Sequence, residues 1–490
     1  MAVHPQPVQA PERVLSTLNA DGSRRWIRPR PSPGSWWTRR RALAYVLMFV
    51  FFVIPYLKMA DKPLILLDLP RREFTLFGTT FLPTDTLLFM LLFVSMAILV
   101  FLITAIYGRV WCGWGCPQTV YMEYLFRPIE QALEGGFRGS LRMDKAGGLA
   151  PVRLLKHAIY LVLAMFLAHT FLAYFVGIDQ LVRWVQSSPK EHPVAFMVMA
   201  GTTLAIFIDF SWFREQTCLV ACPYGRLQTV LFDRDSLIVI YDPARGEPRA
   251  KGTVDRPEGL GDCIDCGMCS RTCPTGIDIR EGLQMECVHC TQCIDACDEI
   301  MTNIGKPTGL IRYGSKSELD GKKRRFLRTR VMLYPIALLI SLGLFLWNLE
   351  NRASTEVTLL RSLGTPYQMR EDGTVVNQVR LKFSNRNRDE RGYHISLAGT
   401  PDVQLISPIN PFPVTGGHTL TTTVFLVSSA ASFENGQRSV MFHVSEGRGF
   451  DRTYLYRLPG PDDRERRMLE GEEHGEHEGA PDAPKPGSGH

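Results

Sequence analysis

The sequence contains no cysteine after Cys297, although it has 12 cysteines in 490 residues. The cysteines form two pairs and two quartets: Cys112 and Cys116; Cys218 and Cys222; Cys263, Cys266, Cys269 and Cys273; Cys287, Cys290, Cys293 and Cys297. No cysteine is left over for the disulfide framework of a secreted protein. Their placement therefore favours metal or redox chemistry.

Long apolar runs are also absent after about residue 350, where a polar tract begins. Five earlier runs approach the roughly 20 apolar residues that cross a bilayer: Ala42–Leu57, Leu87–Tyr107, Ala158–Val176, Val194–Phe213 and Val331–Trp347. They predict a polytopic α-helical membrane protein of about five spans. The net charge of +6 is weak evidence for a nucleic-acid partner, because the basic residues cluster beside these runs.

No small-residue cleavage pattern follows the first run, so we expect a retained anchor and not a signal peptide. Lys and Arg are concentrated in residues 24–41, 127–156 and 322–330, which the positive-inside rule places in the cytoplasm. The N-terminus is then inside and the polar C-terminal tract outside, in the periplasm of a bacterial inner (cytoplasmic) membrane. All cysteines fall on the cytoplasmic side, where thiols stay reduced.

The two cysteine pairs belong to an internal repeat. Each of two predicted helical hairpins ends in C-x3-C-P, at Cys112–Pro117 and Cys218–Pro223, and a Gln-Thr-Val follows each. Residues four apart share a helix face, so a helical pair presents two sulfurs side by side. Thiolates are soft ligands, which suits copper(I), zinc or iron–sulfur units. Redox cycling, thiol exchange and a packing role remain open.

The two quartets have the spacing C-x2-C-x2-C-x3-C, and Pro274 follows the first but Asp298 the second. This spacing resembles that of bacterial two-cluster ferredoxins, in which the fourth cysteine ligates the other [4Fe–4S] cluster. The resemblance implies one cluster on Cys263, Cys266, Cys269 and Cys297, and another on Cys273, Cys287, Cys290 and Cys293. Zinc is the main alternative, since paired C-x2-C units also bind it.

The C-terminal tract reads as short strands separated by glycine-containing turns. Alternating apolar and polar residues, or an enrichment in β-branched residues, mark the strands Thr355–Arg361, Val375–Phe383, His394–Leu397, Val403–Ile406, Thr419–Val427, Ser439–Val444 and Thr453–Leu458. They predict an immunoglobulin-like β-sandwich with no disulfide and no catalytic constellation.

The predicted organisation has six segments. They are a disordered N-terminus (1–39), two repeated hairpins with four spans (40–217), a cytoplasmic segment (218–329) with a ferredoxin-like insert at about 255–305, a fifth span (330–349), a periplasmic immunoglobulin-like domain (350–460) and a disordered tail (461–490).

Three further polar residues lie in or beside the spans. Asp209 is an intramembrane carboxylate, and His157 and His169 bracket the third span. Each is either a candidate functional residue or a polar residue whose hydrogen bonds are satisfied locally.

The whole pattern resembles the CcoG/FixG/RdxA family, described as accessory proteins of cbb3-type cytochrome c oxidase assembly. The resemblance covers roughly residues 37–460. Besides the cysteine motifs, it rests on Arg214-Glu215-Gln216, Cys222-Pro223-Tyr224, Tyr241-Asp242, Arg245-Gly246-Glu247-Pro248-Arg249 and Cys273-Pro274-Thr275-Gly276-Ile277-Asp278-Ile279-Arg280.

The resemblance implies a cupric reductase that converts Cu(II) to Cu(I) for insertion into the oxidase. Two [4Fe–4S] clusters would supply electrons from a cytoplasmic donor, and Cys112, Cys116, Cys218 and Cys222 would take the copper role. The expected partners are the oxidase or its copper-delivery factors. The alternatives are a quinol-linked electron carrier similar to NapH, and a non-redox assembly scaffold.

Overall fold

Five long helices carry the apolar runs. They are α1 (Ser35–Val53), α2 (Thr86–Tyr107), α3 (Pro151–Val176), α4 (Pro193–Ile208) and α5 (Thr329–Glu350). A π-helical turn extends α4 to Phe213, and α2, α3, the extended α4 and α5 are long and apolar enough to cross a membrane. α1 is not among these four, because Arg39, Arg40 and Arg41 lie in its first half. The expected count of five spans is therefore not confirmed.

The computed structural model describes residues 16–19, 21–59, 62–69, 73–82, 85–146, 150–252, 257–362, 364–370, 372–387, 389–447 and 449–462. The chain divides into a unit that ends at Leu349 and a unit that begins at Glu350. Short helices of the first unit are Val110–Trp114, Pro117–Tyr121, Arg127–Glu134, Gly136–Ala146, Ile178–Gln186, Pro223–Leu231, Pro243–Gly246, Met268–Arg271, Gln292–Asn303 and Lys316–Leu319. Single 3-10 turns are Ile54–Tyr56, Ile279–Glu281 and, in the second unit, Ala430–Ser432, and further π turns are Met122–Phe126 and Thr217–Ala221.

Three small antiparallel sheets complete the first unit. Lys58–Met59 pairs with Lys62–Pro63, and Ile238–Tyr241 pairs with Ile311–Gly314. Ile65–Asp68, Glu73–Leu76 and Thr79–Phe81 form a three-stranded sheet in chain order. The pair at 238–241 and 311–314 matters most for the site, because its buried residues pack beneath the cysteine-rich insert.

Residues 21–34, before α1, pack against the insert, which differs from the expected disorder in this part of residues 1–39. Ile27 and Ser32 are buried. The Arg30 amide donates to the Arg271 carbonyl at 2.9 Å, and the Thr272 hydroxyl donates to the Arg30 carbonyl at 2.8 Å. We call residues 21–34 the N-terminal strap. Its composition suggested disorder because polar and basic residues dominate it, but these residues meet partners that are distant in sequence. Residues 1–15 and 20 lie outside the described part of the chain.

The insert also caps α1. The amides of Trp36 and Trp37 donate to the two carboxylate oxygens of Asp295 at 3.1 and 2.7 Å. Asp295 lies between Cys293 and Cys297 and is itself buried. A carboxylate at the first turn satisfies free backbone donors and interacts favourably with the helix dipole. The start of α1 is therefore fixed by a residue of the cysteine-rich insert.

A buried ion network joins the strap to both hairpins. The Glu130 carboxylate accepts hydrogen bonds from Arg28, from Lys156 at 3.0 Å and from Arg214 at 3.1 and 3.0 Å. Lys156 also contacts the buried Glu134 at 2.6 Å. Burial alone would raise the pKa of Glu130, but the charges of Arg214 and Arg28 outweigh it and hold the pKa below its ordinary value. These basic residues therefore have a packing role that charge patterning alone does not reveal.

The second unit is the predicted immunoglobulin-like sandwich. Its strands are β1 (Thr355–Arg361), β2 (Gln368–Met369), β3 (Thr374–Asn385), β4 (Arg391–Ala398), β5 (Gln404–Ile406), β6 (Phe412–Val414), β7 (Thr419–Ser429), β8 (Gln437–Ser445) and β9 (Asp451–Pro459). One sheet has the order β5-β7-β3-β1, with β2 on β3, and the other β6-β4-β8-β9. Their inward residues form one apolar core that includes Phe383, Tyr393 and Phe442. Residues 463–490, most of the predicted tail, lie outside the described residues.

We expect Glu130→Gln to destabilise the first unit by about 3–5 kcal/mol, because it leaves buried cations without their counter-charge. Since the folded pKa of Glu130 is lowered, its stabilisation is present above the ordinary glutamate pKa of about 4.3 and is lost as the pH falls. The difference from wild type should therefore be largest at neutral pH in denaturant titrations in detergent. Asp144→Asn, at a partly exposed partner of Arg28 and Arg153, is the control and should cost less than about 1 kcal/mol. Equal losses in the two variants would contradict this account.

Candidate iron–sulfur and thiol sites

Two cavities in the insert are lined by cysteines from both quartets. Cys263, Cys266, Cys269 and Cys297 line the first cavity; we call these four cysteines set 1. Cys273, Cys287, Cys290 and Cys293 line the second, together with Cys269; we call the first four set 2. Apart from Cys269, which lines both cavities, each cavity thus has three cysteines from one quartet and a fourth from the other. This is the crossed arrangement that the sequence predicts, and the assignment of each cysteine as a ligand stays a prediction.

Local backbone geometry brings three cysteines of each quartet around one cavity. Gly267, between Cys266 and Cys269, has φ +64°, a left-handed conformation that glycine adopts at little cost. The matching position of the second quartet is Thr291, also left-handed at φ +63°. Each turn leads into a short helix, which begins at Met268 or Gln292. The fourth cysteine of each quartet, Cys273 or Cys297, then reaches the other cavity.

The donor chemistry of both cavities fits iron–sulfur clusters. The remaining lining is mostly apolar, including Ile300 and Leu310 in the first cavity and Val239 and Ile277 in the second. Burial raises the pKa of Cys287 to about 12 and that of Cys290 to about 11. Bound iron provides the positive charge that buried thiolates require. Within the described residues, no three His, Cys, Asp or Glu side chains are placed to hold a single metal ion.

Each C-x3-C-P pair lies at a break between two helical segments. Cys112 belongs to the Val110–Trp114 helix, whereas Cys116 precedes the helix that Pro117 begins. Likewise, Cys218 lies in the π turn Thr217–Ala221, and Cys222 precedes the helix that starts at Pro223. The condition for two sulfurs to share one helical face, a continuous helix through the pair, is therefore not met. The proline favours a new helix start, and the second cysteine of each pair takes an extended backbone conformation.

The breaks in the two repeats have the same geometry. Gly108 and Arg214, each four residues before the first cysteine of a pair, both have φ +57°, with ψ −129° and −122°. The amides of Cys116 and Cys222 each donate to the carbonyl five residues earlier at 2.8 Å. The structure thus supports the duplication inferred from the two motifs.

Side chains that follow each pair reach across to the other repeat. The Cys112 thiol donates to the Gln228 side-chain oxygen at 3.1 Å, and the Gln228 amide donates to Thr104 at 3.3 Å. Reciprocally, the Gln118 amide donates to Asp209 at 3.3 Å and to the Arg214 carbonyl at 3.0 Å. We call Cys112, Cys116, Cys218 and Cys222 the four-cysteine group. Burial raises the pKa of Cys112 to about 12, with a further contribution from Cys116, and burial also raises the pKa of Cys116 and Cys218.

The four-cysteine group lies directly beside set 2. A Cβ atom added at Gly113, inside the first pair, would lie 2.6 Å from the Val288 carbonyl oxygen and 2.8 Å from that of His289. The Arg109 amide donates to the His289 Nδ1 at 3.1 Å. The loop that carries Cys287 and Cys290 therefore packs in backbone contact with the loop that carries Cys112 and Cys116.

The three single polar candidates have ordinary partners. Asp209 accepts hydrogen bonds from Thr217 and Gln118 and lies at the end of α4, next to the second cysteine pair. His157 and His169 each bond through Nδ1 to the carbonyl four residues earlier, at 2.6 and 2.7 Å. Asp209 thus lies close to the four-cysteine group, whereas neither histidine belongs to it.

Known proteins align with most of this chain. RdxA of Cereibacter sphaeroides is 32% identical over 76% of this chain and 82% of its own length. RdxB of the same organism is 30% identical over 86% of this chain and 92% of its own length. The nitrogen fixation protein FixG of Rhizobium meliloti is 29% identical over 77% of this chain and 80% of its own length. The chain belongs to the FixG/RdxA family.

Three family models cover the features described above. A 4Fe-4S dicluster domain matches residues 213–316, and an immunoglobulin-like fold found at the C-terminus of FixG matches residues 345–461. A 4Fe-4S binding domain also matches residues 88–135. The cysteines of the sequence that fall in this range are Cys112 and Cys116. This FixG/RdxA-family chain is thus an iron–sulfur electron-transfer protein with membrane-type helices and an immunoglobulin-like domain.

Crossed ligation can be tested with two matched serine variants. We expect Cys273→Ser to remove the cluster at set 2 and Cys297→Ser to remove the cluster at set 1, because each cysteine lines the cavity of the other quartet. EPR of the reduced proteins should show a different surviving signal in each. The signal that survives in C273S should be the one that a Cys263→Ser variant loses, because these two cysteines would ligate different clusters. Loss of the same cluster in C273S and C263S would contradict crossed ligation.

Proposed function

We propose that this FixG/RdxA-family protein reduces Cu(II) to Cu(I) during assembly of a cbb3-type cytochrome c oxidase. The observation that carries the proposal is the backbone contact of Gly113 with Val288 and His289. This contact brings a thiol-rich group to the edge of a cavity suited to an iron–sulfur cluster. When bound, [4Fe–4S] clusters supply one-electron transfer.

The chain's residues have separate roles in this proposal. Set 1 and set 2 hold the clusters, and the surrounding apolar side chains exclude water. Each Cu(II) ion accepts one electron, which a one-electron carrier of the cytoplasm ultimately provides, and becomes Cu(I). The soft thiolates of the four-cysteine group favour Cu(I) over Cu(II).

The proposal includes a membrane orientation. Arg24, Arg28, Arg153 and Arg328 lie at the same ends of the helices as the insert, since they contact Glu215, Asp144 and Asp233 there. The positive-inside rule then places the insert in the cytoplasm and the second unit in the periplasm of a bacterial inner membrane. In this orientation α1 and the turn to Tyr56 form a fifth span, and the immunoglobulin-like domain is available to the oxidase or its copper-delivery factors.

An apolar pocket supports quinol-linked electron transfer as the second candidate. Its volume is about 240 Å³, and its lining includes Tyr56, Phe166, Leu181 and His169. A mostly apolar cavity with one imidazole suits the ring of a quinol. Adding a short-chain quinol to the oxidised protein tests this function directly. Cluster reduction that His169→Ala abolishes would favour the quinol-linked carrier, whereas clusters that stay oxidised would exclude it.

The copper proposal predicts a specific loss in a variant with serine at Cys112, Cys116, Cys218 and Cys222. Under anaerobic conditions, the chemically reduced variant should keep its cluster absorbance but form Cu(I) at least about tenfold more slowly, a barrier increase of about 1.4 kcal/mol. A Cu(I) chelator reports the product while absorbance and EPR report cluster oxidation. In wild type, Cu(I) formed should equal the electrons lost by the clusters.

Two results would overturn the copper role of these cysteines. One is unchanged Cu(I) formation in the serine variant. The other is an iron content of about twelve atoms per wild-type chain, whereas two clusters give about eight. If the serine variant lost this excess, the four-cysteine group would hold iron. Normal oxidase assembly in cells that carry Cys263→Ser and Cys287→Ser would favour the scaffold alternative.

A further inference from the structure

Set 2 and set 1 differ in the charge that surrounds them. Two buried arginines, Arg40 of α1 and Arg109 after α2, lie at the contact between set 2 and the four-cysteine group, and each is no more than 4% exposed. At set 1, the lining includes one arginine, Arg280, which is paired with Asp278 and Asp265 at 2.5 Å each. Arg271 also donates to the Cys266 carbonyl at set 1, but it is exposed. Set 2 therefore has the larger buried positive charge.

Arg40 has an unusual buried guanidinium group. Its Nε donates to the Gly113 carbonyl at 3.0 Å, which leaves Nη1 and Nη2 buried with no hydrogen-bond partner among the described residues. The centre of the Tyr124 ring lies 5.5 Å from the guanidinium carbon. Burial raises the pKa of the Cys290 thiol, and the positive charge of Arg40 opposes that rise. A buried guanidinium without a counter-charge is costly. An anionic cluster bound by the cysteines of set 2 would supply that counter-charge.

Arg109 links three loops at the same place. Its guanidinium donates to the carbonyls of Met285 and Cys287 in the set 2 loop, the latter at 3.3 Å. It also donates to the Gly225 carbonyl and to the Thr229 hydroxyl, the latter at 2.9 Å, in the helix that follows Cys222. One side chain thus ties the first repeat, the second repeat and the insert together.

We infer that Arg40 and Arg109 form a cationic junction that holds set 2 against the four-cysteine group and favours the reduced state at set 2. This inference rests on the proposed function, because it requires a cluster at set 2. A reduced cluster carries one more negative charge than the oxidised one, so nearby cations raise its reduction potential. Electrons therefore enter at set 1, where the carboxylate partners of Arg280 neutralise its charge. They leave from set 2 toward the four-cysteine group.

Arg40 and Arg109 are positioning residues, and their substitution tests the junction through cluster potentials. In EPR-monitored redox titrations of the full-length protein, we expect Arg40→Met to lower the potential of one cluster and leave the other unchanged. The affected cluster should be the one that Cys273→Ser removes. Arg40→Lys should restore most of the potential because it keeps the charge. Arg280→Met is the matched control and should not shift that cluster.

The contact itself is tested by a glycine substitution. Gly113→Ala introduces a Cβ atom against two backbone carbonyls, so the loops must separate. We expect about tenfold slower Cu(I) formation from the reduced protein, with iron content unchanged. Gly201→Ala in α4 is the control and should behave as wild type, since among the described residues no atom outside the adjacent helix backbone lies within 4 Å of the added Cβ.

The outcomes separate this inference from the function on which it rests. Unchanged potentials in Arg40→Met, or equal shifts of both clusters, would overturn the junction while two-cluster electron transfer stands. Full-rate Cu(I) formation in Gly113→Ala would overturn set 2 as the exit. A wild-type protein without two cluster signals, or one whose reduced clusters do not react with Cu(II), would instead overturn the proposed function.

Discussion

The first unit depends on the close approach of two loops at Gly113. There is no room for a side chain at this position, because the carbonyls of Val288 and His289 occupy the space where a Cβ atom would lie. Arg40 holds the Gly113 carbonyl from α1, and Arg109 holds the opposite loop. The cysteine-rich insert is therefore fixed to the helical hairpins by backbone contact, and its distance from the four-cysteine group is set by the fold.

The two repeats keep the same backbone but use it differently. Gly108 adopts its left-handed conformation at little cost because it has no Cβ atom. A Cβ atom there would also strike the Leu237 carbonyl and the His289 ring. Its counterpart Arg214 adopts nearly the same conformation with a full side chain, which costs roughly 1 kcal/mol. The ion pairs of Arg214 with Glu130 offset this cost. The first repeat thus docks the insert, and the second anchors the buried ion network.

Sequence patterns identified the elements whose residues are repetitive or closely spaced. The alternation over Val375–Phe383 lies within β3, with Val375, Val379, Leu381 and Phe383 buried, and the crossed cavities follow the quartet spacing. The strap, the cap by Asp295 and the ion network were missed, because each includes a contact between residues more than 80 positions apart. Basic residues near apolar runs were interpreted only as topology signals. The pairing of Arg214 with Glu130 has no periodicity that a single sequence displays.

The cap on α1 has a consequence for how the protein matures. The strap and α1 leave the ribosome well before Asp295, by roughly 10 s or more at 5–20 residues per second. During that interval α1 lacks the carboxylate that completes its first turn, and the strap lacks the surface formed by Arg271 and Thr272. Docking of the strap therefore has to wait until the insert has been synthesised. The strap, although it is made early, therefore reaches its final contacts only after the residues around Arg271 and Asp295 have been made.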